Sequence, residues 1–73
     1  MSRGGEISPM TKLQEIREAS GLTRNQLAEM TGVSFRMISY YENGSKDINR
    51  AEALTVYKLA QALFCTVEDL LEK

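Results

Sequence analysis

Residues 23–44 read Thr-Arg-Asn-Gln-Leu-Ala-Glu-Met-Thr-Gly-Val-Ser-Phe-Arg-Met-Ile-Ser-Tyr-Tyr-Glu-Asn-Gly, and this stretch decides the fold. Thr23 and Gln26 stand at capping-box spacing: the hydroxyl accepts from an orphan amide, and the glutamine side chain reaches back to the cap. The helix that starts there runs to Thr31. Ala28 in its middle is small, which lets a second helix cross close to its backbone. Gly32 supplies the left-handed residue that a sharp turn requires, and Val33 fills the corner with apolar bulk. Ser34 is a good N-cap for the second helix, which runs to Asn43 and stops at Gly44. Two short helices joined at these offsets predict a helix-turn-helix.

Angles of roughly 100° per residue assign the faces of the second helix. Ile38 and Tyr41 fall together and face the core, with Glu42 near them. Arg36, Tyr40 and Asn43 fall on the opposite side, with Ser39 at their edge. That outer face carries a guanidinium, a phenol, an amide and a hydroxyl, but no bulky aliphatic side chain. Its donors suit base edges and phosphates better than a merely solvated face would.

Outward from the motif, residues 1–10 begin Met-Ser-Arg-Gly-Gly-Glu-Ile-Ser-Pro and predict a flexible arm ahead of one domain over 11–73. Thr11 and Gln14 form a second capping box, opening a helix over 12–20 that Gly21 ends. Leu13 and Ile16 make its apolar stripe. Residues 45–50 are expected to be a polar loop and 51–64 the fourth helix. The polar residues Glu52, Thr55, Lys58 and Gln61 recur every third position there, leaving Ala53, Val56, Tyr57, Leu59, Ala60 and Leu63 to face inward. Thr66 caps a last helix over 67–72, and Glu68 and Asp69 complement its positive end. The expected architecture is all-α, with five helices.

Seventy-three residues bury only about 60% of the surface of the unfolded chain, so such a domain gains from a partner subunit. A single cysteine excludes a disulfide framework and fits a reducing cytoplasm. No apolar run approaches the roughly 20 residues of a membrane span. There is no histidine, no phosphate-binding glycine loop and no Cys or His cluster, so neither enzyme, cofactor nor metal is expected. Cys65 reads as a buried, inert thiol. The net charge is −1 and the pI near 5.3, which argues against a strongly basic nucleic-acid binder. The distribution softens this: Arg24, Arg36, Lys46 and Arg50 outnumber Glu29, Glu42 and Asp47 between residues 22 and 50, whereas acid predominates afterwards.

The segment GLTRNQLAEMTGVSFRMISYYENG resembles the lambda-repressor-like, XRE-type helix-turn-helix domain of bacterial and phage regulators. DINRAEALTVYKLAQALFCTVEDLLEK is similar to the last two helices of small cytosolic members, so the likeness covers about residues 11–72. It implies a compact five-helix domain and a cytoplasmic, homodimeric regulator, in the first instance a repressor, that binds specific double-stranded DNA. The recognition helix over 34–43 would enter the major groove while the helix before it lies across the backbone. Ser34, Phe35, Arg36, Ser39 and Tyr40 would then read bases, while Arg24, Lys46 and the backbone around Asn43 and Gly44 would hold phosphate.

The resemblance also implies a structural ion pair between Arg17 and Glu42. Arg24 departs from the glutamine common at its position but keeps the donors. Phe35 replaces a residue that is often polar, and could pack on the flank or lie on a thymine methyl. Phe64 stands where glycine often ends the fourth helix, so that helix must end without glycine or run on. Two other uses remain open, an antitoxin of the same fold and a protein-interaction module that has lost DNA binding. The first lacks an evident toxin-neutralising tail, and the second has only the acidic balance and Phe35 in its support.

Overall fold

A computed structural model of the chain describes residues 10–72; the arm expected ahead of the domain lies, in residues 1–9, outside the described residues. The helices are α1 (Lys12–Ala19), α2 (Arg24–Thr31), α3 (Phe35–Asn43), α4 (Ala53–Ala62) and α5 (Val67–Leu70), with one 3-10 turn at Ile48–Arg50. Among the described residues there is no strand, and no helix is long and apolar enough to cross a membrane.

Local chemistry sets the starts and stops of the first three helices. Thr23 Oγ1 accepts from Gln26 N at 3.0 Å while Gln26 Oε1 accepts from Thr23 N at 2.8 Å, completing the capping box of α2. Ser34 Oγ caps α3 by accepting from Met37 N at 3.1 Å. At α1 only half of the expected box forms. Thr11 Oγ1 accepts from Gln14 N at 3.3 Å, but Gln14 Nε2 donates to Glu18 Oε2 at 3.0 Å, one helical turn on. Gly32, at φ +79°, makes the turn between α2 and α3 in the left-handed region that side chains with a Cβ disfavour.

The core joins all five helices through Leu13, Leu27, Ile38, Leu59 and Leu70, each with 1% or less of its surface exposed. Ala28 lies partly buried against this core, on the helix that packs on both α3 and α4. Deletion of a buried leucine side chain of this kind costs about 2–5 kcal/mol.

Four expectations for the second half need correction. The 45–50 segment is not wholly polar loop, because Ile48 is buried and the chain coils into the 3-10 turn around it. Ala51 N closes that turn on Ile48 O at 3.1 Å with Ala51 itself extended, so α4 starts at Ala53 rather than 51. Within α4, Ala53 and Tyr57 face solvent instead of the core, and Tyr57 is half exposed. The last helix is a single turn that ends at Leu70 rather than at 72.

The end of α4 is unusual. The helix does not run on to 64; it closes with Phe64 in the left-handed conformation at φ +56°. Cys65 N donates to Ala60 O at 3.0 Å and Phe64 N to Gln61 O at 3.2 Å, the paired bonds of a Schellman cap, with phenylalanine where glycine is usual. A residue with a Cβ is disfavoured there by roughly 1–2 kcal/mol, and the ring recovers little by packing because Phe64 is 93% exposed. The chain is then clasped near its ends. Glu72 Oε2 accepts from Lys12 N at 2.6 Å, and Glu72 exchanges backbone bonds with the Asn49 amide at 2.6 and 2.8 Å.

Candidate nucleic-acid interface

The inner side of α3 is anchored by Ile38, Tyr41 and Glu42, all buried. Burial of a carboxylate needs compensation, and Glu42 receives it from two arginines. Arg17 Nε donates to Oε2 at 2.6 Å and Arg17 Nη2 to Oε1 at 3.1 Å, while Arg17 Nη1 donates to Leu22 O at 2.8 Å. Arg24 Nε donates to Oε1 at 2.8 Å. The Glu42 hydrogen bond outweighs burial and raises the Arg17 guanidinium above its ordinary pKa, so the guanidinium keeps its charge. Glu42 O also accepts from Thr11 Oγ1 at 3.2 Å. One residue at the end of α3 thus ties it to α1 and to the start of α2.

The outer side is different in kind. Ser34, Phe35, Arg36 and Asn43 are exposed and Tyr40 is half-buried. Phe35 shows 46% of its surface, so it does not pack away on the flank. Lys46 Nζ lies 5.9 Å from the centre of the Tyr40 ring, within reach of a cation–π attraction, which brings the lysine alongside the helix. Asn43 Oδ1 accepts from Ser45 N at 2.8 Å, leaving its amide donors outward. Gly44 is left-handed at φ +84°, which turns the backbone away after the helix.

Two residues sit otherwise than the sequence suggested. Ser39 Oγ is shielded from solvent with no hydrogen-bond partner among the described residues, so its hydroxyl is not presented outward. Arg24 is directed to Glu42 through Nε, with about a third of its side chain exposed. Its terminal Nη1 and Nη2 form no further hydrogen bond or ion pair among the described residues. In the sequence Arg50 stands out only as a nearby charge. It is exposed and lines, with Lys46, Asp47 and Met37, a shallow groove of about 240 Å³ beside α3. The buried Ile48 is what carries Arg50 back toward the helix, and nothing in the spacing of the polar residues signals it.

This geometry can grip a polyanion and offer donors to base edges. The family described as helix-turn-helix matches residues 13–70. The chain belongs to that family. Within it, the XRE-type helix-turn-helix protein is 42% identical over 62 residues to the HTH-type transcriptional repressor RghR of Bacillus subtilis (strain 168). The match takes in 85% of this chain and 44% of RghR, so the chain spans less than half of that relative's length. The helix-turn-helix fold is also similar to the restriction-modification controller protein C.AhdI from Aeromonas hydrophila. The TM-score is 0.72 and the identity 28%, over 82% of this chain and 86% of that one.

Proposed function

We propose that this helix-turn-helix protein is a sequence-specific double-stranded DNA-binding transcriptional regulator, acting as a repressor in the cytoplasm and as a homodimer. The observation that carries the reading is the two-sidedness of α3: Ile38, Tyr41 and Glu42 are locked inside, while Phe35, Arg36 and Tyr40 are held out on a helix that has little freedom to rotate. Residues 34–43 enter the major groove and α2 lies across the backbone. Arg36, in the first turn, is placed to offer two parallel donors to O6 and N7 of guanine, and Phe35 can lie on a thymine methyl. Arg24, Lys46, Arg50 and the backbone at Asn43 and Gly44 hold phosphate and fix the register.

The test is selection of bound sequences from a random duplex pool, followed by two variants measured on the selected and on scrambled DNA. Arg36→Ala should keep its melting temperature and lose about 1–3 kcal/mol of specific affinity, with relaxed preference at one base pair. Arg24→Ala should weaken binding to all sequences alike and make the salt slope shallower by about one unit. A pool that yields no enriched sequence overturns the function. Equal weakening of specific and scrambled DNA by Arg36→Ala reassigns that arginine to phosphate.

A further inference from the structure

The inner face of α4 is spent on the core through Val56, Leu59 and Ala60. Its outer face carries Leu54, Tyr57 and Gln61 at helical spacing, and Phe64 continues the line just past the last turn. Leu54 is 60%, Tyr57 50% and Phe64 93% exposed. Beside this stripe, between the end of α2 and α4, runs a groove of about 380 Å³ lined by Met30, Thr31, Lys58, Gln61 and Ala62. Phe64 is the anomaly. Its backbone is held in the left-handed region, where glycine would sit without strain, and it presents a phenyl ring almost wholly to water. Neither the cap nor the core accounts for a ring at that position. Backbone strain held at one exposed position points to a use outside the folded chain.

We propose that the outer face of α4 is where two copies of this chain meet, with Phe64 of each copy seated in the groove of the other. The occupant follows from the layout. Projecting ring and receiving groove lie side by side within residues 58–64, so a two-fold axis near Gln61 exchanges them and closes the contact on itself. Had they lain on distant faces, the same pairing would propagate into an open chain. The groove's one charged lining residue is Lys58, whose ammonium attracts the face of an aromatic ring and whose stem is apolar.

The exposed parts of Leu54, Tyr57 and Phe64 amount to roughly 400 Å² per copy. That is the apolar centre of an interface of about 800 Å² per partner, with Ala53 toward the rim. The stripe shares no residue with the outer side of α3, so pairing leaves the reading helices open. This proposal rests on the homodimer part of the proposed function and is independent of DNA binding.

Sedimentation equilibrium of the full chain without DNA tests it, with wild type, Phe64→Gly and Phe35→Ala compared. Wild type should show a reversible monomer–dimer equilibrium. Phe64→Gly should weaken it by at least about tenfold, and Phe35→Ala, which removes an exposed ring outside the stripe, should leave it unchanged. Because glycine relieves the left-handed strain, Phe64→Gly should also melt higher than wild type at dilutions where both are monomeric. Stability and association therefore move in opposite directions, which loss of folding cannot imitate. A wild-type chain that stays monomeric up to about 1 mM means that another protein, or residues 1–9 of the same chain, covers the stripe, and overturns the proposal. So does a Phe64→Gly chain that dimerises like wild type.

Discussion

Replacement of Arg17 by alanine removes three hydrogen bonds, two of them to a carboxylate with no exposed surface. Glu42 is left with Arg24 Nε alone, from a side chain that is 37% exposed, and the Leu22 carbonyl loses its donor. Breaking one side of a buried ion pair costs about 3–5 kcal/mol, and the surviving Arg24 contact places Arg17→Ala near the lower end, about 3 kcal/mol. A 73-residue chain has only about 4–11 kcal/mol of total stability, so the melting point should fall by roughly 12–24 °C.

The informative control is the double variant Arg17→Met with Glu42→Leu. It leaves no uncompensated buried charge and frees Arg24 into solvent, so it should recover to within about 1 kcal/mol of wild type. Urea unfolding followed by far-UV circular dichroism on wild type, Arg17→Met, Glu42→Leu and their double closes the cycle, with Arg17→Ala measured alongside. A single variant within about 1 kcal/mol of wild type would show that the network is energetically idle. A double variant no better than Arg17→Ala would show that packing, not charge compensation, sets the cost.

Ala28→Leu should destabilise by about 1–3 kcal/mol through overpacking where α2 meets its neighbours, and an unchanged melt would place the close crossing elsewhere. The Asp69 carboxylate is held below its ordinary value near 3.8, first by the Thr66 backbone amide and then by the Thr66 hydroxyl. With the folded pKa depressed, its stabilisation is complete above the unfolded value and is lost as pH falls through the folded one. Melting temperature against pH should therefore decline less steeply below about pH 4 in Asp69→Asn than in wild type; parallel curves would refute this.

The sequence was most legible where local chemistry decides the backbone. Thr23, Gly32, Ser34 and Gly44 each act within a few residues, and α2 and α3 begin and end where those residues say. The fourth helix was harder because its polar residues recur every third position. From Glu52 to Gln61 that spacing sweeps about half-way around a helix, so it marks no single face. The buried stripe is instead Val56, Leu59, Ala60 and Leu63, at true helical spacing, and this leaves Ala53 and Tyr57 outside.

Arg24 and Glu42 are brought together by the crossing of α2 and α3, and no count along the chain reveals that distance. Ser39 fell near a face boundary by angle, where a few tens of degrees separate a presented hydroxyl from a shielded one. Phe64 stands out in the sequence as a departure from glycine. Whether the helix would extend or close in a strained cap turns on Thr66 and Val67, which start α5 immediately afterwards.

The clasp between Lys12, Asn49 and Glu72 makes the domain a loop in which chain entry and exit share one spot. A single hydrogen bond, from Lys12 N to the Glu72 carboxylate, joins the first turn of α1 to the tail, so a linker of a few residues can connect them without disturbing a helix. The order of the five helices along the gene is then a convention, and a cut in the exposed 43–47 segment would yield a permuted chain with the same interior. For the same reason, anything attached ahead of α1 and anything attached behind α5 emerge side by side. The domain can then be inserted into a larger polypeptide as a side branch, as readily as it can be strung along one.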